Sequence, residues 1–470
     1  MTESVVIARE SCVKSGATSL KKKLTTWHIA LMVIATAAPL GSIIGNVPFG
    51  LIMGGPGLPT AYLIAGAVLL CFAWGYSKLV VDISGEGAFY RCIHAIFGAR
   101  IGMGSAFVAL FSYTALTASV ASSVGYFTNL MLKGYGVDWG WQLWTAVAFV
   151  LVSVLGRFSA DVGAKLLVAI IIVEFFLLVV LDASIGFQQG VAALPLEIFS
   201  PANIAKEGFG VALMIGFFSF IGFEAAALYS GETQNPHKAI PAALMIAVFS
   251  VAVFYFLSSW LIVGAAGVDQ AQGAATKLEG NFVIDIFRQY TGSWVAAFTN
   301  FMLCNSIIAC YISLHNAATR YAYIIAQNGS LPKILGVINP KTLAPANASI
   351  FISITVAIFI AIPAFQGADP YLTVGATTAA MATLGVIALQ VIVALGIMIF
   401  YRKRKDRRVF STLVAPGIAF VGLVIAAGLI VDNFHLLSGS ESALTTSLPL
   451  LLVIVFFIGL SRRPCQSTPL

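Results

Sequence analysis

The sequence predicts an all-α integral membrane protein of twelve transmembrane helices. They are arranged as a 5+5 inverted repeat with two discontinuous helices, followed by two C-terminal helices. Three observations carry this reading. A soluble domain has about 25% charged residues, whereas this 470-residue chain has 10%, with 59% hydrophobic residues and a mean hydropathy of +0.95. Twelve apolar runs are long enough to cross a bilayer, which takes about 20 residues of helix. Lysine and arginine fall almost entirely on one side of the topology those runs define.

The spans, numbered one to twelve in chain order, lie at about 27–53, 58–80, 101–132, 140–156, 163–184, 206–230, 240–264, 293–325, 346–363, 371–400, 412–432 and 445–461. The segment Gly85 to Gly98, GEGAFYRCIHAIFG, is amphipathic and too short to span, so it is expected to lie in the interface. With the N-terminus inside, 22 of the 26 lysines and arginines face the cytoplasm, and only Lys133, Lys206, Lys277 and Arg288 face outward. A missed or invented span would scramble this positive-inside asymmetry. The expected organisation is a cytoplasmic tail over 1–26, one transmembrane domain over 27–461 and a cytoplasmic tail over 462–470. Repeat one covers about 27–184, repeat two about 206–400, and the extra helices about 412–461. The first apolar run is too long for the core of a cleavable leader. The location expected is the plasma (inner) membrane.

The net charge of +7 and pI near 9.1 do not indicate nucleic acid, because the basic residues flank apolar runs instead of lining one face. The cluster RKRKDRR after span ten is a topology anchor, with attraction to anionic lipid as the alternative. Cys12, Cys71, Cys92, Cys304, Cys310 and Cys465 have no paired or metal-ligand spacing. There is no GxxxxGK[ST] phosphate loop and no HExxH, and the five histidines are scattered. No enzyme, cofactor or metal site is expected. The sequon at Asn347 falls on the expected cytoplasmic side and carries no meaning there.

Span one contains the unusual chemistry. Residues 39–59, PLGSIIGNVPFGLIMGGPGLP, hold six glycines and four prolines. Glycine costs about 1 kcal/mol in a helix interior and proline about 3. Proline is harmless in a first turn, as Pro48 would be, and Asn46 is a good N-cap. A half-helix ending near Gly41, an unwound stretch and a second half-helix from about Asn46 are expected. Bare backbone in a bilayer is tolerated only where it lines a cavity or is covered by protein. The alternative is a kinked helix whose glycines allow close packing. Span six has a matching interruption at Ser219, Gly222 and Glu224 within FFSFIGFEAAALYSGETQNP. Spans one to five form one unit and six to ten another, each beginning with an interrupted helix; five is odd, so the second unit inserts upside down. Interrupted helices at corresponding places of inverted repeats point to a transport site.

GSIIGNVPF (41–49), GEGAFYRCI, FSFIGFEAAALYSGETQNPHKAIPAA (218–243) and NAATRYAYIIAQNGSLP (316–332) together resemble the amino acid–polyamine–organocation (APC) superfamily. The resemblance covers nearly the whole chain and implies the leucine-transporter-like fold, with a small amino acid or amine as substrate. Where the family often has a glycine or serine pair and then a small residue, this chain has Asn46-Val47-Pro48, and Pro48 donates no N–H.

A half-helix N-terminus suits a carboxylate, because it carries about half a positive charge and unpaired N–H groups. The backbone N–H groups of Gly45, Asn46 and Val47 and the carbonyl of Ile43 are therefore the expected substrate contacts. The resemblance adds the carbonyls of Phe218 and Ile221, alongside Ser219 and Gly222, with Phe218 as an aromatic cover or, alternatively, a packing residue. Acids at depth in a bilayer are costly and are functional candidates. Glu174, central in span five, and Glu224 are the coupling candidates. The alternatives are an inter-helix hydrogen bond for Glu174 and a first-turn carboxylate for Glu224. Where Glu174 stands, several members of the superfamily carry a lysine in place of a sodium ion. Tyr113 and Asn305 are weaker pocket candidates. The expected function is secondary active transport by alternating access, with proton symport or exchange. A sodium-coupled carrier of the same fold and a channel are the rivals. The partners expected are the substrate, a proton and the lipid bilayer.

Overall fold

A computed structural model of the protein describes residues 25–83, 88–157, 164–224, 233, 235–342, 344–404, 408–438 and 446–462. Most of both tails, and the stretch of the span-six motif from 225 to 232, lie outside the described residues. Among the described residues the chain is helical, with no β-strand. Among the described residues, eight helices are long and apolar enough to cross a membrane, counting Pro39–Asp82 as one continuous run. Shorter apolar helices, Trp141–Leu155, Phe209–Phe218 and Leu450–Ser461, stand where spans four, six and twelve are expected. The amphipathic segment forms a short helix, Ala88–Phe97.

The long helix Ala99–Lys133 of span three is the axis of the bundle. Its most apolar window is 83% buried, against 33% for the helices of spans five, nine and eleven, which form the periphery. Its buried face is rich in serine and threonine. Several of their hydroxyls donate to carbonyls one turn back, as Ser112 does to Val108 at 2.8 Å, Thr114 to Leu110 at 2.7 Å and Thr117 to Tyr113 at 2.6 Å. Small side chains let neighbouring helices approach closely, and bonding to their own helix satisfies them without water. The periphery is apolar outward: Phe176, Val179, Ile354, Ile358 and Ile425 are all more than half exposed, a surface suited to lipid.

Span one is interrupted, but four residues earlier than its glycines suggest. Helix Thr26–Thr36 stops at Ala37 and Ala38, and Ala38 has a left-handed φ of 42°. The chain then continues as a short α-turn, Pro39–Gly41, a π-turn, Ser42–Asn46, and an α-helix, Val47–Gly54. The residue before a proline is pushed out of the helical region, and Pro39 cannot donate back into the ladder. Gly41 and Gly45 stay helical. The π-turn has its own cause, since Pro48 offers no N–H and its ring crowds the carbonyl four residues back.

The end of this second half-helix is seated against the start of span six. A Cβ on Gly54 would lie 2.6 Å from the Ala212 Cβ. One on Gly208, where φ is +89°, would lie 2.1 Å from the Met53 carbonyl oxygen. Only glycine permits this approach, which brings the two interrupted spans side by side.

Candidate functional site

Span six unwinds where its interruption is expected. Helix Phe209–Phe218 gives way to turns over 219–224, and Gly222 adopts φ +114°, a conformation disfavoured for other residues. The Gly222 N–H donates to Glu224 Oε2 at 3.0 Å, and the Tyr113 hydroxyl donates to Glu224 Oε1. Glu224 is thereby fully engaged below the break.

The two breaks are bonded to one another. Asn46 Nδ2 donates to Ser219 Oγ at 3.0 Å. Ser219 Oγ spends its own hydrogen on the Ile215 carbonyl at 2.9 Å, so the Tyr62 hydroxyl, 3.3 Å away, must donate to it. At the break in span one, the Ala37 carbonyl accepts from the Ser42 and Tyr255 hydroxyls, each at 2.9 Å. Side chains thus replace the helical partner that carbonyl has lost, as buried backbone requires.

A cavity of about 90 Å³ lies between the breaks. Of the residues expected to contact substrate, Gly45, Asn46, Phe218, Ser219 and Ile221 border it. Other expected contacts are placed differently. The Val47 N–H donates to the Ile43 carbonyl inside the helix, so the pair expected to hold opposite ends of a substrate hold each other. Asn46 faces the site through its side chain and is not a cap. The Gly45 carbonyl accepts from the Tyr371 hydroxyl at 2.6 Å. Gly222 is not in the cavity wall. Asn305 donates to the Phe301 carbonyl of its own helix at 2.9 Å and is turned away from the cavity, whose wall from span eight is Ile307, Cys310 and Leu314. Tyr113 lies beneath the cavity with Glu224.

Glu174 stands on helix Ala164–Gln189 of span five, 2% exposed. It interacts with the Ser306 hydroxyl and with the backbone of Leu40, in the first turn after the span-one break. Its Oε2 has no hydrogen-bond partner among the described residues. A carboxylate here meets the positive end of the second half-helix.

Sequence reasoning missed Ser42, Leu116, Ser123, Phe127 and Tyr371, which also border the cavity. A signal existed for Tyr371. Asp369-Pro370 before it is an N-cap pair, and the Asp369 carboxylate accepts from the Tyr371 N–H at 2.8 Å. The Tyr371 ring stacks on Tyr126 with centroids 4.8 Å apart and planes at 6°, and Phe127 and Phe49 meet it edge-on. The Tyr126 hydroxyl donates to Glu279 Oε2 at 3.2 Å. This aromatic layer covers the cavity on the side of residues 279–280.

Among the described residues, a small cavity without an Asp, Glu, Lys, Arg or His in its wall is closed between the breaks of spans one and six in an apolar bundle. The chain belongs to the amino acid permease family of the APC superfamily: the family model described as "Amino acid permease" matches residues 24–458. It is similar to the amino-acid permease GAP5 of Candida albicans, 26% identical over 341 residues that are 70% of this chain and 54% of that protein. The chain thus spans about half the length of that relative. It is similar to the branched-chain amino acid permease BcaP of Bacillus subtilis, 24% identical over 87% of each chain. A third similarity is to the aromatic amino acid transport protein AroP of Escherichia coli K12, 22% identical over 73% of this chain and 74% of that protein. Its family and its apolar helices make the protein an integral membrane protein.

Proposed function

We propose that the protein is a secondary carrier that moves a small amino acid or related amine across the plasma membrane by alternating access, with proton symport or exchange. The observation that carries this reading is the cavity between the two helix breaks, joined across by the Asn46–Ser219 hydrogen bond. Discontinuous helices meeting at a shared cavity are the architecture in which one helix bundle rocks against the other around a fixed site. Two buried acids, Glu174 and Glu224, supply groups whose proton occupancy can bias such a motion. The test is uptake into proteoliposomes of the purified protein. Saturable uptake, accelerated by unlabelled substrate on the opposite side, is expected. Non-saturating flux would identify a channel, and dependence on a sodium gradient at constant pH would replace the proton with sodium.

The reading includes twelve crossings, two inverted five-helix repeats and both termini in the cytoplasm. Single cysteines introduced beside Lys341 and Arg404 are expected to be shielded from an impermeant thiol reagent in intact cells, and one beside Lys277 to label. Labelling of the first two from outside would overturn this topology.

Phe218, half-buried at the cavity edge, is proposed as a cover for the substrate. Phe218→Ala is expected to raise the half-saturation concentration about threefold to tenfold, the loss of an aromatic contact worth ~1 kcal/mol. Unchanged affinity assigns Phe218 to packing.

A further inference from the structure

We infer that the cavity is built for an α-amino acid with a short, uncharged side chain, and that the Asn46 amide reads the charged end groups of that substrate. The inference rests on the carrier reading above and narrows its substrate.

Size is the first argument. A water molecule needs about 10–15 Å³ of cavity measured in this way, so the cavity of about 90 Å³ holds the equivalent of about six to nine waters. Alanine, serine, threonine and valine fit that space, whereas phenylalanine, arginine and lysine exceed it. The wall is built by packed helices: Leu116 and Val120 come from span three, and Ile307 and Leu314 from span eight. Ile307 Cγ1 lies 3.6 Å from where a Cβ on Gly41 would stand, so the broken helix and Ile307 pinch the space between them.

Charge is the second argument. A charged side chain in this wall would lose its water and find no counter-charge. The two buried carboxyls nearby are outside the wall, Glu224 bound by Tyr113 and Gly222 and Glu174 placed against Ser306 and the Leu40 backbone.

Asn46 is the third. The hydroxyls of Ser42, Ser123 and Ser219 all donate to backbone carbonyls, of Ala37, Ser119 and Ile215. The Gly45 carbonyl is taken by Tyr371. A primary amide has two N–H donors and an accepting oxygen. Asn46 spends one N–H on Ser219, which leaves a second N–H for a carboxylate and the oxygen for an ammonium group.

Cys310, in the same wall, provides the test. In the full-length protein with Cys12, Cys71, Cys92, Cys304 and Cys465 changed to serine, labelling of Cys310 by a small thiol reagent is followed in the presence of single amino acids. Competition against counterflow of labelled alanine in proteoliposomes gives a second readout. L-Alanine and L-serine are expected to slow labelling and to compete, while L-phenylalanine, L-lysine and L-glutamate do neither. Asn46→Ala is expected to raise the alanine concentration needed at least about tenfold, and Ile307→Ala or the milder Ile307→Val to admit leucine at least about tenfold more readily. Protection by phenylalanine, lysine or glutamate equal to that by alanine overturns the narrowed class and leaves the carrier reading standing. Protection by no amino acid, with counterflow absent, overturns the carrier reading itself.

Discussion

Gly45→Leu is expected to abolish uptake in a protein that still folds and inserts. Gly45 borders the cavity, and a Cβ at this position would meet only the Phe127 ring, at 3.6 and 3.7 Å, which is ordinary contact. Gly45→Ala is therefore expected to fold and to retain much of its transport. The three further carbons of leucine have nowhere to go but the cavity or the Phe127–Tyr371 layer. An isobutyl group in a cavity that holds about six to nine waters takes a large share of the space a substrate would use, and overpacking costs typically about 1–3 kcal/mol. The comparison of the two variants carries the argument. Loss in both would mean that the π-turn tolerates no side chain, and normal transport by Gly45→Leu would move the substrate site elsewhere. Insertion and folding are checked by size-exclusion profile and by thermal unfolding of the purified variants.

Glu174→Gln is expected to abolish the pH dependence of net uptake and to spare exchange in the absence of a pH gradient. Glutamine keeps the shape and most of the hydrogen bonding, so the contacts with Ser306 and the Leu40 backbone remain available, but it cannot ionise. An ionised Glu174 is held by the positive start of the second half-helix of span one. A charge at a partly buried helix end is worth up to about 2 kcal/mol. Protonation gives up that attraction and so shifts the balance between two packings of span five by up to about thirtyfold, provided only one packing keeps the contact. The substrate cavity is untouched, which is why exchange survives. Glu224→Gln is the control, because Glu224 is bound by Tyr113 and Gly222 on the other interrupted span. A full pH response in Glu174→Gln with its loss in Glu224→Gln would transfer the coupling role to span six. A full response in both would exclude coupling through either acid.

Much of this architecture is written locally in the chain. Lipid as solvent demands about twenty apolar residues per crossing, a requirement so coarse that helices are found at every place the apolar runs mark. Helix interruption is also local, because proline and glycine act through their own backbone. Even so, the weighting matters. The glycines of span one drew the expected break to residues 41–46, whereas the break follows from Pro39, whose effect falls on Ala38. Glu174 and Glu224 stood out because an acid in an apolar run is expensive, and both are buried. Their partners, Leu40 and Ser306 for one and Tyr113 for the other, belong to other helices and carry no mark in the sequence.

The sequence by itself determined that the protein lives in a membrane, is helical, leaves the helix within spans one and six and buries two acids. Each of these follows from the free energy of single residues in apolar surroundings. Only the tertiary structure decided which polar groups are left for a substrate. Asn46 reads locally as a helix cap, yet its amide is aimed at Ser219, 173 residues away. The Gly45 carbonyl, beside the N–H expected to meet a substrate, accepts from Tyr371, 326 residues away. The Ile43 carbonyl and the Val47 N–H read as a split pair and are bonded to each other. In a bilayer every polar group must find a partner within the protein, and the choice among partners on different helices is made by packing, which no local pattern encodes.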